Sequence, residues 1–402
     1  MNNRYLSRQP IFDHNHEVFA YEILYREHGF EAGDAVIDEN QATSRVLLYA
    51  FVDIGLEKIV GNKKAFINIS EDYILGKIPL PFSNDKLVLE IYADDEMSPD
   101  IIDGIVKLSD RGYKIAIDDF IYSHATESLL SHVDYVKIDL TVHSRDTIIE
   151  MLKKLELFKI SVIAEKVETQ TDVEFCHDNG FDFFQGFFLC EPGIIESQSL
   201  QPNRVATMKL LGLLQQSDVN VSELESIITQ DVSLSFKILK SINSAFYGLP
   251  KKVESIHQAL VYMGLKTIKQ LATLLAISNL DDKPDELLNI ALMRARMCEL
   301  IASELGFQDK DSASTVGLLS SLDALMDRNM ADLLAELPFT EEINNALLNQ
   351  QGKLGRVLNC VIAYERGDWS KTTEMDIKPE RLQNIYLQSI DWSIHFFQQT
   401  AA

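Results

Sequence analysis

Short apolar runs alternate with amphipathic stretches over the first half of the chain. The runs with the length and composition of β-strands are KAFINIS (64–70), KLVLEIY (86–92), YKIAIDDF (113–120), DYVKID (134–139), ISVIAEKVE (160–168) and FDFFQGFFL (181–189). The stretches between them have the spacing of helices with one apolar face. Gly112 and Gly180 follow two of these stretches, where helices commonly end in a left-handed residue. About six such units after a hairpin-like segment (5–26) predict an α/β protein with a TIM-like (β/α) barrel.

The pattern changes near residue 200, where strand-like alternation stops and helical spacing alone continues. One of the later helices begins with a predicted capping box, formed by Ser255 and Gln258. We therefore expect two domains, a barrel over residues 1–197 and an all-α domain over residues 198–402.

Polar or charged residues stand at the carboxyl end of every predicted strand. They are Asn68, Glu90, Asp118, Asp119, Lys137, Glu165 and Gln185. The carboxyl ends of parallel strands meet at one face of a barrel, so these side chains are expected to converge. Two adjacent carboxylates such as Asp118 and Asp119 repel each other, and burying them is costly unless a cation lies opposite. The oxygen donors favour Mg²⁺ or Mn²⁺, often a pair about 3.5–4 Å apart that clamps a phosphodiester.

The overall charge excludes one class of partner. The chain has 61 acidic residues against 37 Lys and Arg, a formal net charge of -24. Non-specific binding of nucleic acid needs a positive surface, so nucleic acid is not an expected partner. A small anionic ligand remains compatible, because bound divalent cations invert the local field.

The distribution of cysteine and apolar residues indicates a cytoplasmic protein. The four cysteines lie far apart and form no CxxC or zinc spacing, as is typical of thiols in a reducing compartment. The first residues lack the apolar core of a signal peptide, and no apolar stretch is long enough to span a bilayer. We therefore expect no membrane insertion.

The histidines of the first half have no regular spacing. Among them are His14, His16, His124, His132, His143 and His177. Because none of them has the sequence spacing of a known metal motif, no metal role is expected for any of them.

Many short motifs of the first half resemble those of EAL domains, the phosphodiesterases of cyclic di-GMP. The defining Glu-Ala-Leu appears as Glu22-Ile23-Leu24, with Arg26 after it and RQPI (8–11) before it. Further matches, in the family's order, are INIS, EIYA, IAIDDF, VKID, AEKVE and FFQGFF. The resemblance extends over residues 1–195.

The resemblance implies hydrolysis of one phosphodiester of cyclic di-GMP to linear pGpG, with two Mg²⁺ or Mn²⁺ ions. The residues that would hold the first ion are Glu22, Asn68, Glu90 and Asp118. Asp118 would bridge to the second ion, which Asp119 and Glu165 would complete. Lys137 would contact the attacking water, with Glu165 as its base. The residues that would position the metal, a loop and the nucleotide phosphate are Gln9, Arg26, Glu168 and Gln185.

Three departures from the EAL pattern lie close to this site. The glycine-containing loop after the double aspartate is replaced by FIYSHATES (120–128). The glutamate that steadies that loop in the family falls at Ala93, and the glycine of its Ala-Glu-Gly-Val-Glu motif is Lys166. We expect Lys166 to be a surface charge, and an ion pair with Glu165 or Glu168 is the alternative.

The second half resembles the HDOD domain, a relative of HD-type phosphohydrolases, over about residues 200–400. In VGLLSSLDALM the family's metal-binding His-Asp pair is replaced by Ser320 and Ser321. Only His257 and His395 follow residue 200, so hydrolysis is not expected in this domain. The resemblance implies a helical module that contacts an unidentified protein partner.

Two interpretations of the whole chain remain open. In the first, it is a phosphodiesterase, which the retained inner ligands favour. In the second, the barrel is an inactive receptor or scaffold that binds cyclic di-GMP or a partner protein without turnover, which the altered loop and Ala93 favour. The expectations also include a homodimer of the barrel and a role in bacterial motility or biofilm formation.

Overall fold

The computed structural model describes most of the chain. The described residues are 3–28, 55–80, 86–94, 97–190, 211–212, 214, 221–229, 238–239, 242, 253, 255–277, 284–307, 310–335, 337, 339–372 and 375–400. The predicted domain boundary at residues 197–198 lies outside them.

Eight strands close into a barrel in the order of the sequence. They are β1 (Asn3–Phe12), β2 (Val18–His28), β3 (Lys64–Asn68), β4 (Leu87–Tyr92), β5 (Lys114–Asp118), β6 (Tyr135–Asp139), β7 (Ser161–Glu165) and β8 (Phe183–Gln185). Strand β1 is antiparallel to both its neighbours, β2 and β8, whereas β2 to β8 are parallel to one another. The predicted hairpin and the TIM-like barrel are confirmed.

Two predicted strands, 113–120 and 160–168, extend too far at their carboxyl ends. Strands β5 and β7 stop directly before Asp119 and Lys166, which have φ angles of 46° and 54°. An extended chain has negative φ, so a left-handed residue ends the strand. Both strands therefore finish in a sharp turn at the carboxyl face of the barrel.

The predicted strand 181–189 is also wrong in its second half. Only Phe183–Gln185 is a strand, and Phe188–Cys190 forms a turn of 3₁₀ helix. Between them Gly186 packs so closely on Val167 that an added Cβ would overlap its carbonyl group. The contact between Gly186 and Val167 takes the place of regular strand pairing, so the strand ends at Gln185.

Helices connect the parallel strands, as the amphipathic spacing predicts. They are α1 (Leu56–Val60), α2 (Glu71–Ile74), α3 (Pro99–Asp110), α4 (His124–Leu129), α5 (Arg145–Leu155) and α6 (Gln170–Asp178). Ser98, Ser144 and Thr169 cap α3, α5 and α6 by accepting a hydrogen bond from a backbone N–H of the first turn. Gly112 and Gly180 have φ angles of 85° and 80°, which confirms the left-handed residues predicted after α3 and α6.

A layer of apolar side chains fills the barrel below the strand ends. Its members are Ile11, Phe19, Ala20, Phe66, Val88, Ala116, Tyr135, Ile163 and Phe183. At least one comes from each of the eight strands, and the layer combines four aromatic rings with smaller aliphatic side chains. Above this packed layer, the polar residues toward the carboxyl ends of β2 to β8 line the carboxyl face of the barrel.

The described residues after the barrel are helical. Their helices are α7 (Val221–Thr229), α8 (Ile256–Ile277), α9 (Asp285–Glu304), α10 (Lys310–Leu319), α11 (Leu322–Met326), α12 (Met330–Ala335), α13 (Glu341–Asn349), α14 (Gly352–Glu365), α15 (Trp369–Thr372) and α16 (Pro379–Thr400). At the start of α8 the Gln258 N–H donates to Ser255 Oγ over 3.2 Å, which is one of the two hydrogen bonds of the predicted capping box. None of the described helices is long and apolar enough to cross a bilayer.

The chain forms two compact units. The first comprises Met1–Glu191, Glu365–Trp369 and Lys378–Gln383, and the second comprises Pro192–Tyr364, Ser370–Ile377 and Asn384–Ala402. Two short segments from late in the sequence thus belong to the unit that contains the barrel.

Candidate active site

A buried lysine lies at the centre of the carboxyl face of the barrel. Lys137, in the middle of β6, has no exposed surface. Its Nζ lies 2.7 Å from Glu90 Oε1, 2.7 Å from Glu165 Oε1, 3.0 Å from Glu22 Oε2 and 3.3 Å from Asp118 Oδ1. Strands β2, β4, β5 and β7 each supply one of these carboxylates. The predicted convergence at the strand ends therefore holds for Glu90, Asp118, Lys137 and Glu165, and Glu22, which only the EAL resemblance implied, lies with them.

Amide side chains connect the edge of this cluster. Asn68 Nδ2 donates to Glu90 Oε2 over 3.1 Å. Gln185 Nε2 donates to Glu22 Oε2 over 2.6 Å and to Gln9 Oε1 over 3.1 Å. Gly186 packs closely on Val167, as described above. The Val167 N–H also donates a hydrogen bond of 3.0 Å to the Gln185 carbonyl, and together these contacts hold Gln185 in this position. These contacts place Asn68, Gln185 and Gln9 within the site.

The cluster has more negative than positive charge, and the pKa values respond to this. Burial raises the pKa of Glu90 well above its usual range, and the charge of Glu22 raises it further. Burial likewise raises the pKa of Asp118, and raises that of Glu165 to about 7. Burial alone would lower the pKa of Lys137, but the four carboxylates raise it well above its usual range. The lysine therefore stays charged, while part of the carboxylate charge is lost to protonation near neutral pH.

This electrostatic arrangement predicts a stability that falls as pH rises in protein freed of metal by EDTA. In the folded state Glu165 keeps its proton up to a pH of about 7, whereas in the unfolded chain it loses it near 4.5. The free energy of unfolding should therefore decrease between these values by up to about 1.4 kcal/mol per pH unit, and become constant above them. Urea denaturation across this range should show a shallower dependence for Glu165→Gln and an unchanged one for the exposed control Glu174→Gln. An equal pH dependence in wild type and Glu165→Gln would contradict the assignment.

The donor set fits hard divalent cations. Gln185 Oε1 is buried without a hydrogen-bond donor among the described residues, whereas Glu90 Oε1 and Asp118 Oδ1 lie against the Lys137 ammonium, at 2.7 and 3.3 Å. Carboxylate and amide oxygens are the ligands that Mg²⁺ and Mn²⁺ prefer. Within the described part of the chain, no three acidic, histidine or cysteine side chains form a complete ligand set, because the carboxylates here surround the Lys137 ammonium. The surplus negative charge, the unpartnered Gln185 oxygen and the hard oxygen donors together fit a divalent cation.

Three predicted site residues are not part of the cluster as described. Asp119 is exposed, because its left-handed backbone turns the chain away from the barrel axis. Glu168 is also exposed, three residues beyond the end of β7. Arg26 lies in β2, opposite Tyr5 of β1, but its side chain is outside the described part of the structure.

The segment after Asp119 is held by hydroxyl groups instead of glycines. Ser123 N–H donates to Thr126 Oγ1 over 2.9 Å, and Thr126 N–H donates to Ser123 Oγ over 3.2 Å. The buried Thr126 hydroxyl also donates to the Ile121 carbonyl over 2.9 Å. At the base of the segment, Phe120 is fully buried and its N–H donates to the Lys137 carbonyl over 2.9 Å. The altered sequence thus forms an ordered connection from β5 to α4.

We expect Thr126→Val to make the segment 120–128 more mobile without changing its fold. The substitution keeps the volume but removes the hydroxyl, so the Ser123 N–H and the Ile121 carbonyl lose a partner at a cost of about 1–3 kcal/mol. Amide hydrogen exchange should accelerate over residues 120–128 and stay unchanged in β6. Ser128→Ala, which removes an exposed hydroxyl of the same helix, is the control. Equal exchange in Thr126→Val and wild type would show that the hydroxyl network does not hold the segment.

Lys166 has a different partner from the one predicted. Its Nζ lies 2.5 Å from Asp139 Oδ2, and neither Glu165 nor Glu168 forms this ion pair. Asp139, the last residue of β6, is almost fully buried and also accepts from the Thr141 hydroxyl over 2.6 Å. The reason is geometric: the left-handed backbone of Lys166 directs its side chain across to the adjacent strand end. The prediction that it is mainly exposed is correct.

An arginine lies beside the two serines that replace a His-Asp pair in the helical unit. The buried Arg294 of α9 donates through Nη1 to Ser320 Oγ over 3.2 Å and to Ser321 Oγ over 3.1 Å. Helices α9 and α10 come this close because Gly317 packs on the Arg294 carbonyl, where a Cβ would overlap it. A guanidinium cation at this position opposes metal binding, because like charges repel.

Two family models match the chain. The EAL domain matches residues 77–192 and the HDOD domain matches residues 201–342. The chain is 31% identical over 401 residues to the cyclic di-GMP phosphodiesterase CdgJ of Vibrio cholerae, covering 98% of this chain and 93% of that protein. The chain belongs to the EAL–HDOD family. Within this family it is also 32% identical over 399 residues to the uncharacterized protein YuxH of Bacillus subtilis, covering 96% of this chain and 97% of that protein. An EAL domain protein from Listeria monocytogenes shares 22% identity with a TM-score of 0.37, over 46% of this chain and 87% of that one.

Proposed function

We propose that this EAL–HDOD protein is a metal-dependent phosphodiesterase that hydrolyses cyclic di-GMP to pGpG. The observation that carries the proposal is the cluster of four carboxylates around the buried Lys137 at the open face of the barrel. The membership of the EAL–HDOD family, which includes the phosphodiesterase CdgJ, supports the substrate class. Two Mg²⁺ or Mn²⁺ ions are the proposed cofactors.

The proposed ligands are the oxygens of the cluster, with Glu22, Asn68, Glu90 and Asp118 nearest its centre. Bound there, divalent cations would polarise the phosphodiester and lower the pKa of a water molecule. Asp119 and Glu168 can contribute only if their exposed side chains turn toward the strand ends when the ligand binds. We retain Asp119, Glu168 and Arg26 as proposed binding residues on the strength of the family pattern alone.

The chain's own groups provide the proton transfer. Glu165 has a pKa near neutrality and an edge exposed to the open face, so it can take a proton from the attacking water. The Lys137 ammonium holds Glu165 in place over 2.7 Å and offsets the negative charge that develops on the phosphoryl oxygens. The water oxygen forms a bond to phosphorus as the P–O3′ bond breaks, and the O3′ leaving group takes up a proton. The product is linear pGpG with a 5′-phosphate.

The proposal is tested by incubating the purified chain with cyclic di-GMP and Mg²⁺ or Mn²⁺ and separating the products by chromatography. The expected result is conversion to pGpG that stops when EDTA is added. Unchanged substrate at every metal concentration, with a folded protein, would contradict the proposed activity.

A specific observation favours a second candidate, a receptor without turnover. Ala93 is buried at the end of β4 where the family has a loop-binding glutamate, and FIYSHATES lacks the family's glycines. Calorimetric titration with cyclic di-GMP in Ca²⁺ separates the candidates. Binding without product in Mg²⁺ or Mn²⁺ would identify a receptor, and neither binding nor product would identify a scaffold.

For the helical unit we propose a protein-binding role. The Arg294–Ser320–Ser321 contacts argue against metal chemistry there. We further propose that the protein acts in the cytoplasm, forms a homodimer through its barrel and influences motility or biofilm formation. Light scattering on the purified chain tests the homodimer directly.

A further inference from the structure

Two histidines that are far apart in the sequence meet at the end of the barrel opposite the carboxylates. His14 lies in the turn between β1 and β2, and His177 lies in the last turn of α6. Their Nδ1 atoms are 3.3 Å apart although 163 positions separate them in the chain. Both side chains are exposed, so solvent can reach the nitrogens. The expectation from spacing alone, that these histidines have no metal role, did not foresee this contact.

The separation of the two nitrogens matches a tetrahedral ligand pair. Zinc binds imidazole nitrogen at about 2.0–2.1 Å, which places two tetrahedral ligands about 3.3–3.4 Å apart. A square-planar pair would need nitrogens roughly 2.9 Å apart at the same bond length. The observed 3.3 Å, which is also a hydrogen-bond distance between the two rings, equals the edge of such a tetrahedron.

The two rings are held by a common aromatic residue. Phe184 of β8 is fully buried, and its ring lies 5.2 Å from the ring of His14 and 5.5 Å from that of His177. The His14 and His177 rings themselves are 4.6 Å apart, centre to centre. Because both imidazoles rest on one rigid side chain, little ordering is needed to bring them to a shared ligand.

The turn that carries His14 is itself fixed and contains a further histidine. Asp13 Oδ1 accepts from the N–H groups of Asn15 and Glu17, each over 2.9 Å. His16 stands in this turn with a left-handed φ of 59° and packs against Phe188. Its Nε2 is buried and has no hydrogen-bond partner among the described residues. The two bonds of Asp13 fix the backbone that positions His14 beside His177.

We propose that His14 and His177 bind a zinc-type divalent cation, with water completing the shell. Imidazole selects Zn²⁺, Co²⁺, Ni²⁺ or Cu²⁺ over Mg²⁺, so this site is chemically distinct from the carboxylate cluster. Its position gives it a structural role. Strand β1 meets β8 through only two residue pairs, Ile11–Gln185 and Phe12–Phe184. A metal joining the β1–β2 turn to α6 would fasten the barrel across this short seam.

The test is calorimetric titration of untagged full-length protein, stripped with EDTA and held in excess Mg²⁺, with Zn²⁺. We expect one zinc ion per chain, with affinity at least tenfold weaker in His14→Ala and in His177→Ala and no binding in the double variant. Asn15→Ala, in the same turn but without a donor nitrogen, should bind like wild type. A Glu22→Gln/Asp118→Asn variant should also keep the site, which separates this proposal from that of the phosphodiesterase. Equal zinc binding by wild type and the His14→Ala/His177→Ala variant would overturn it, as would no binding by wild type.

A structural role adds a second readout. Zinc should raise the midpoint of thermal unfolding of wild type and Asn15→Ala in proportion to its binding, and should leave the double histidine variant unchanged. Co²⁺ should give the visible absorption of a tetrahedral site in wild type and lose it in the double variant. A spectrum of six-coordinate cobalt would contradict the tetrahedral geometry inferred from the nitrogen separation.

Discussion

Lys137→Met is expected to destabilise metal-free protein by about 3–5 kcal/mol and to abolish turnover. The ammonium is fully buried and lies within 3.3 Å of four carboxylates, so its removal leaves buried like charges without a counter-ion. Methionine keeps most of the side-chain volume, which limits the packing loss. The loss should grow as pH rises, because the carboxylates lose the protons that otherwise relieve their repulsion. Urea denaturation in EDTA measures the free energy of unfolding.

The matched control for Lys137→Met is Lys153→Met, the same change at an exposed position of α5. Its free energy of unfolding should stay within about 0.5 kcal/mol of wild type. Adding Mn²⁺ should restore more stability to Lys137→Met than to wild type, since the cation replaces the missing positive charge. Equal stability of Lys137→Met and Lys153→Met without metal would show that the ammonium does not hold the carboxylates together.

Glu22→Gln and Asp118→Asn are each expected to lower the turnover of cyclic di-GMP at least about 100-fold. Both changes preserve shape and remove one negative charge from the proposed metal ligands. The folded state should persist, because each change relieves repulsion among buried carboxylates. Thermal unfolding of the EDTA-treated variants should therefore occur at or above the wild-type temperature, while steady-state kinetics shows the loss in kcat.

Glu174→Gln, on the exposed side of α6, is the control for these two variants and should keep wild-type kinetics. Wild-type activity in both Glu22→Gln and Asp118→Asn would refute the two-metal assignment. Lost activity together with lost folding would instead point to a structural role, which the thermal measurement detects.

The barrel could be predicted from the sequence because its strands are short apolar runs separated by helical spacing. The run LVLEIY of β4 is buried at every position but the last, as expected for a parallel strand covered on both faces. The hairpin was predictable from its two apolar segments around a polar turn. The ends of β5 and β7 were not, because the left-handed backbone of Asp119 and Lys166 has no strong signal in those residue types.

The inner part of the site could be predicted because the ends of parallel strands always meet at one face of a barrel. This rule brings Glu90, Asp118, Lys137 and Glu165 together without any knowledge of side-chain contacts. The rule does not apply to residues beyond the turn that ends a strand. It therefore placed Asp119 in the cluster, whereas the side chain is exposed. It also gave no indication that Asp139 is the partner of Lys166.

Contacts between segments far apart in the chain could not be predicted from the sequence pattern. His14 and His177 meet only because α6 returns to the end of the barrel at which β1 turns into β2. Arg366, in a late segment of the same compact unit, places its guanidinium 4.8 Å from the ring centre of Phe187, just after the site residue Gln185. Neither pairing has a local sequence signature, since both depend on how elements far apart in the chain pack.

The most direct test of the central claim is to run the cyclic di-GMP reaction with Mn²⁺ in water enriched in ¹⁸O and to identify the product by mass spectrometry. Hydrolysis at the carboxylate cluster predicts pGpG with one ¹⁸O atom in its 5′-phosphate, formed by wild type and not by Glu22→Gln. Intact cyclic di-GMP after incubation with folded wild-type protein, or linear product without the label, would contradict the account.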